Sequence, residues 1–175
     1  MLIKHKTFIS YYHKDDNVWR ERFEVLFRDI IINKSVGLGE IASDNSAEYI
    51  RHLIQQNYLS DSTVMIVLIG PNTWGRKHVD WEIYGALDHR VGDKYAGLIG
   101  ILLPTHPDFY SNCYNEAIVP ARLADNQKSG YAKIHNWTED VSLMKKYIDQ
   151  AMWDRANNHL INNRRLQMQR NRSGV

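Results

Sequence analysis

The sequence predicts an α/β fold: a doubly wound, flavodoxin-like parallel sheet with helices on both faces. Thr63 to Ile69 (TVMIVLI) and Ala96 to Leu103 (AGLIGILL) are unbroken apolar runs. Such runs mark strands buried on both faces of a parallel sheet. Segments with apolar residues at helical spacing separate the strand-like runs, which is the alternation of a βαβ chain. Right-handed crossovers then narrow the topology to a doubly wound order.

Each element has its own signal. Lys6 to Tyr12 (KTFISYY) alternates and is rich in β-formers, so it is the first strand. Asp16 is placed to cap a helix from about Asn17 to Asn33, where Trp19, Phe23, Leu26, Phe27 and Ile30 recur at helical spacing. Val36 to Ile41 is expected as a short second strand. Asp44, Asn45 and Ser46 form a turn and capping cluster before a helix from Ala47 to about Leu59. The third strand, Thr63 to Ile69, stops at Gly70-Pro71, and Lys77 to about Arg90 forms the next helix. Pro104 closes the strand that begins at Ala96. Thr105 to Gly130 reads as irregular, with Val119 to Leu123 (VPARL) as a last short strand. A final helix covers about Val141 to His159, with Leu143, Met144, Tyr147, Ile148, Met152 and Trp153 on its apolar face.

The chain has 175 residues, 43% apolar and 24% charged. This suits one domain, expected over residues 1–160, followed by a basic tail over 161–175. The net charge of +2 conceals an asymmetry. Arg155 to Val175 holds five Arg and no acid, which leaves a body of about −3. The body has no basic stripe, which argues against nucleic-acid binding, and the tail reads as a frayed helix end. One cysteine, Cys113, excludes an internal disulfide and a cysteine metal cluster, and fits a reducing compartment. Lys4, His5 and Lys6 interrupt any leader-like start, and no apolar run approaches the ~20 residues of a membrane span. The expected location is the cytoplasm, with no membrane partner.

Several standard sites are absent. There is no GxGxxG after the first strand and no GxxxxGK[ST]. Asp15 and Asp16 follow the first strand, but a phosphoacceptor site would also need an Asp at the end of the third strand, where Ile69 and Gly70 stand. The two acids are expected at a helix N-terminus. His78 and Glu82 are four apart, yet no His-Glu-x-x-His exists, and no metal is expected. Glu82 stands out. Trp74 and Trp81 bracket it, and its helix begins beside the carboxyl ends of the first and third strands, where ligands of open α/β sheets bind.

FISY in the first strand, Asp44-Asn45-Ser46 after the second and the segment LIGPNTWGRKHVDWEI occur in a telling order. From Lys6 to Leu103 the chain resembles a TIR domain, and most of all the ThsB-like family of bacterial Thoeris anti-phage defence. The resemblance implies a TIR-like fold and cleavage of NAD+ between nicotinamide and ribose. NAD+ is then a substrate, and no cofactor is implied. By position Glu82 is the essential acid. Phe8, Ser10 and Tyr11 would line the nicotinamide and ribose pocket. Asp44 and Ser46 would lie in the loop that helps close the site or joins neighbouring subunits, and Trp74 would stack near the base or ribose. The chain departs from the family in lacking the Cys of the Trp-Cys-x-x-Glu loop, which is longer here.

One acid suffices for this chemistry, because nicotinamide leaves as a neutral molecule and needs no protonation. A carboxylate facing two ribose hydroxyls would stabilise an oxocarbenium-like ribose. Attack by an internal hydroxyl gives a cyclic ADP-ribose, and attack by water gives the linear one. The resemblance favours the cyclic product, a diffusible signal to a downstream effector, with a phage-derived trigger and homo-oligomerisation on activation. The alternative is a non-catalytic TIR-like protein-interaction scaffold, which has no reason to keep a carboxylate between two Trp. A third reading, a deoxyribosyltransferase-type enzyme, would want a second acid. Asp44 is the candidate, and capping explains it equally well.

Overall fold

A computed structural model describes residues 3–35, 43–88 and 95–173. Its elements, in chain order, are β1 (His5–Ser10), α1 (His13–Phe27), β2 (Ile31–Asn33), α2 (Ser46–Gln55), β3 (Val64–Ile69), α3 (Lys77–Ala86), β4 (Gly97–Leu102), α4 (Ala121–Ser129), β5 (Lys133–Asn136) and α5 (Val141–Asp154). The strands form one parallel sheet in the order β2-β1-β3-β4-β5. This is the doubly wound α/β fold that the apolar runs imply.

The period-2 alternation of a strand sorts side chains between the two faces. On β3, Met65, Val67 and Ile69 enter a cluster with Leu53 of α2, Val79, Trp81 and Ile83 of α3, and Leu123 of α4. Val64, Ile66 and Leu68 enter the opposite cluster, with Phe23 and Phe27 of α1 and Met144 and Ile148 of α5. Every residue of β3 and β4 is buried, because helices cover both faces. β1 follows the same rule. Phe8 lies with α2 and α3, whereas Ile9 and Tyr11 lie with α1 and α5.

Capping fixes where several helices begin and end. The Asn45 side chain accepts from the Glu48 N–H at the start of α2, and Asp140 does the same for Leu143 at α5. α2 stops at Gln55, short of Leu59, because Asn57 turns left-handed (φ 58°). The Asn57 and Tyr58 N–H groups then bond back to the carbonyls of Ile54 and Leu53.

Other elements differ from the sequence expectations. The first helix ends at Phe27, and Ile31–Asn33 forms the edge strand β2. The β-branched run Ile30-Ile31-Ile32 favours extended backbone there. The strand expected at Val36–Ile41 lies outside the described residues. Asp16 is not a cap. α1 starts at His13, and Asp16 is buried in its first turn. VPARL is no strand. Pro120 is the N-cap of α4, and the last strand is β5. α5 ends at Asp154 and passes into a 3-10 turn, Arg155–Leu160. No described helix is long and apolar enough to cross a membrane.

The packing gives a direct expectation. Leu68 is fully buried at the centre of the sheet. Leu68→Ala should lower unfolding stability by about 2–5 kcal/mol in a denaturant titration, because the flanking strands cannot collapse onto the void. A loss below about 1 kcal/mol would mean that β3 is not central.

Candidate active site

Glu82 lies on the second turn of α3 and is only 3% exposed. Two hydroxyls hold its carboxylate. Ser10 Oγ, at the carboxyl end of β1, donates a short hydrogen bond to Oε2. Tyr49 OH, on the first turn of α2, donates to Oε1 at 2.6 Å. Three elements far apart in sequence therefore converge on one acid. Burial is the dominant influence and raises the Glu82 pKa to about 7, while the bonds from Ser10 and Tyr49 oppose it. The Tyr49 phenol is pushed well above its ordinary value, by burial first and then by Glu82, so it stays a donor.

An aromatic group flanks the acid. The His78 ring stacks on Tyr49 with centroids 4.7 Å apart. Trp81 meets His78 edge-on at 5.0 Å and Tyr49 at 5.8 Å. His78 Nε2 is 3.0 Å from the Ser43 carbonyl, which can only accept, so this nitrogen carries a proton. One cation borders the group, with Lys77 Nζ 5.2 Å from the Trp81 ring; the Arg76 guanidinium next to it lies 4.5 Å from the Tyr12 ring, outside the group. His13, stacked on Tyr11, has a lowered pKa through burial first and then the nearby His78 and Arg20.

Two further buried carboxylates support this end of the sheet. Asp80 pairs with the fully buried Arg122, with Oδ1 2.9 Å from Nε and Oδ2 3.3 Å from the second nitrogen. Asp16 accepts from Thr73 Oγ1 at 3.1 Å, and that same oxygen accepts from the Gly70 N–H. The Asp16 carboxylate rests against the Gly70 backbone, in space that any Cβ there would fill. Desolvation raises the Asp16 pKa to about 6.

Of the residues singled out in the sequence, the structure brings Ser10 onto Glu82, and Phe8 packs in the same cluster as Tyr49 and Trp81. Tyr11 faces the other side of the sheet, where its hydroxyl donates to Asn17. Asp44 is exposed and paired with Lys77 Nζ at 2.5 Å, which holds its carboxyl below the usual range. Ser46 opens α2 and donates to Gln167. Trp74 lies half-buried in a 3-10 turn, Thr73–Gly75, and the indole in the aromatic group is that of Trp81. Tyr49 is the addition, and His78, weighed in the sequence only as a metal ligand, joins the aromatic group. Tyr49 sits beside Ile50 on the apolar face of α2, so in the sequence it looks like core.

Among the described residues no three His, Cys, Asp or Glu side chains group to hold a metal ion. A cavity of about 810 Å³ opens at the opposite, amino end of the strands, beside Lys6 and Trp153. Its Lys6 and Lys145 are already paired with Asp61 and Asp149. It therefore offers less chemistry than the Glu82 site.

The family described as Thoeris protein ThsB, TIR-like domain, matches residues 8–108. The chain belongs to this ThsB TIR-like family. The match spans Ser10, Tyr49, His78 and Glu82, and so covers the whole carboxylate cage. Among solved structures, the TIR domains of the activated Roq1 resistosome, which directly recognises the pathogen effector XopQ, are similar at 15% identity. That alignment covers 88% of this chain and 84% of the other, with a TM-score of 0.41. No curated protein sequence matches significantly.

The raised Glu82 pKa makes stability depend on pH. A carboxyl whose folded pKa lies near 7 and whose unfolded pKa is near 4.5 binds more protons when folded. Stability therefore falls as pH rises from about 4.5 to 7, by up to about 3 kcal/mol. Glu82→Gln removes this dependence, so its melting temperature relative to wild type should be higher at pH 8 than at pH 5. Tyr49→Phe removes a donor to the ionised form, and should carry the pH window upward. An equal effect of Glu82→Gln at both pH values would mean that Glu82 is ionised throughout.

Proposed function

We propose that the protein is an NAD-processing TIR enzyme of Thoeris defence. It cleaves NAD+ between nicotinamide and ribose and releases a cyclic ADP-ribose-type signal that activates a partner effector. The observation that carries this reading is Glu82, a buried carboxylate held between the Ser10 and Tyr49 hydroxyls at the carboxyl end of the sheet.

A carboxylate accepts along about four lone-pair directions, and Ser10 and Tyr49 use two. The two left match the adjacent hydroxyls of the nicotinamide ribose. In the reaction the bond from ribose C1′ to the nicotinamide nitrogen breaks, and its electron pair leaves with neutral nicotinamide. The positive charge passes to the ribose, where the Glu82 carboxylate stabilises it. A hydroxyl of the same molecule then bonds to C1′ and gives up its proton, which closes the cyclic product. Water in its place gives linear ADP-ribose. Tyr49, His78 and Trp81 favour the cyclic outcome by keeping water from the ribose.

A non-catalytic scaffold is the second reading, since a caged carboxylate also ties β1, α2 and α3 together. A glutamine would do that without burying a charge. A buried carboxylate with a strongly raised pKa among aromatic rings is better suited to chemistry. We place the reaction in the cytoplasm, with a phage-derived trigger and self-association on activation.

The test is chromatography of NAD+ incubated with lysates of cells expressing the wild type or Glu82→Gln, with and without phage challenge. The wild type should consume NAD+ and form a cyclic product, and Glu82→Gln should lose roughly 100-fold or more. Because the ionised carboxylate acts, kcat/KM should rise through pH about 7 and then level off. No NAD+ loss under any condition, with the fold intact, would leave the scaffold reading.

A further inference from the structure

The basic C-terminal segment is no frayed helix end. After the 3-10 turn the chain runs extended across α4 and then over the starts of α3 and α2. Its first part is anchored on α4. Asn162 and Asn126 exchange two hydrogen bonds, and the Asn163 side chain accepts from Arg122 and donates to the Tyr84 carbonyl. Arg165 grips Asp125 with two bonds.

Its second part lies on the helices that carry the carboxylate cage. Gln167 accepts from Ser46 at the head of α2, one turn before Tyr49. The Met168 N–H donates to Asp80 and its carbonyl accepts from the Trp81 indole, both at 2.8 Å. Asp80 and Trp81 immediately precede Glu82. Asn171 accepts from the Lys77 N–H and so caps α3. The Arg172 N–H donates to the Gly75 carbonyl, and its own carbonyl accepts from Arg76.

This second part is held by polar bonds and not by packing. None of residues 166–173 is fully buried, and Leu166 is 89% exposed. A segment with exposed hydrogen bonds and few apolar contacts opens locally at low cost. Yet it ties α2 to α3, the two helices that bring Tyr49 and Glu82 together, and Glu82 is 3% exposed at the sheet end where a ligand has to arrive. We propose that residues 166–172 are an autoinhibitory strap: they hold α2 against α3, keep the Glu82 site shut and must lift for substrate to enter. The part of this concerning turnover rests on the NAD-processing reading; the closure itself does not.

Gly75 supplies a selective test. A Cβ there would overlap the Arg172 carbonyl oxygen, and Gly75 does not have a positive φ that would strain an alanine. Gly75→Ala in the full-length protein should therefore displace the end of the strap alone. Asn171→Ala, which removes only the cap on α3, is the milder second variant. Hydrogen exchange at the Met168 and Arg172 amides should speed up at least tenfold with little change in melting temperature. The Glu82 carboxyl, followed by NMR, should titrate at lower pH as water reaches it, and untriggered NAD+ consumption should rise at least fivefold.

If the amides are released while the Glu82 titration and NAD+ turnover stay the same, or turnover falls, the segment is a fixed wall and the proposal is overturned. Unchanged exchange in both variants would overturn it too. If exchange and the Glu82 titration both change but no variant consumes NAD+, the strap stands and the NAD-processing reading fails.

Discussion

Burying the Glu82 carboxylate is the constraint around which this end of the molecule is arranged. A charge removed from water is costly unless donors replace the water, and even then its proton is harder to remove. Ser10 and Tyr49 supply those donors from β1 and α2. Each is placed by something else: Ser10 by the parallel pairing of β1 with β3, Tyr49 by the Asn45 cap and the apolar face of α2. The Arg122–Asp80 pair then ties α3 to α4, and the Asp16–Thr73 contact ties the turn after β3 to α1. A displacement of any one of these elements would leave the carboxylate short of a donor.

The sheet was legible in the chain because its central strands are continuous apolar runs, a signal that depends on composition alone. Elements at the sheet edges were not. β5 (KIHN) is only partly buried, and α4 (ARLADNQKS) carries few apolar residues, so neither shows a clear period. β2 directly follows Ile30, the last residue at helical spacing, and no glycine or proline separates them, so the sequence runs the helix through it. In the site, Glu82 and Ser10 were readable from their places at the head of α3 and the end of β1. Tyr49 was hidden because its hydroxyl partner is 33 residues away, and nothing in a helix face distinguishes a phenol that packs from one that also donates. Asp16 looked like a cap for the same reason: its partner Thr73 is brought in only by the fold.

The C-terminal segment illustrates a further limit. NNRRLQMQRN has no hydrophobic period, and its charge suggests a solvated tail. Its contacts use main-chain groups and side-chain amides, which almost any polar sequence could offer. Only the finished surface of α3 and α4, with Asp80, Trp81 and Arg122 in place, selects its path. The same features that made it unreadable, polar bonding and shallow burial, are those of a segment that can lift.

Family membership places the chain among the TIR-like domains of Thoeris ThsB. The proposed chemistry rests on the state of one proton. The most direct measurement is a site-resolved NMR titration of the Glu82 side-chain carboxyl carbon in the wild-type protein, assigned with Glu82→Gln. The account predicts a midpoint near pH 7, because burial outweighs the two hydroxyl donors. A midpoint near 4.5, the ordinary value for a solvated glutamate, would contradict it: burial would then not outweigh the two donors, and Glu82 would not be the tuned carboxylate on which the rest depends.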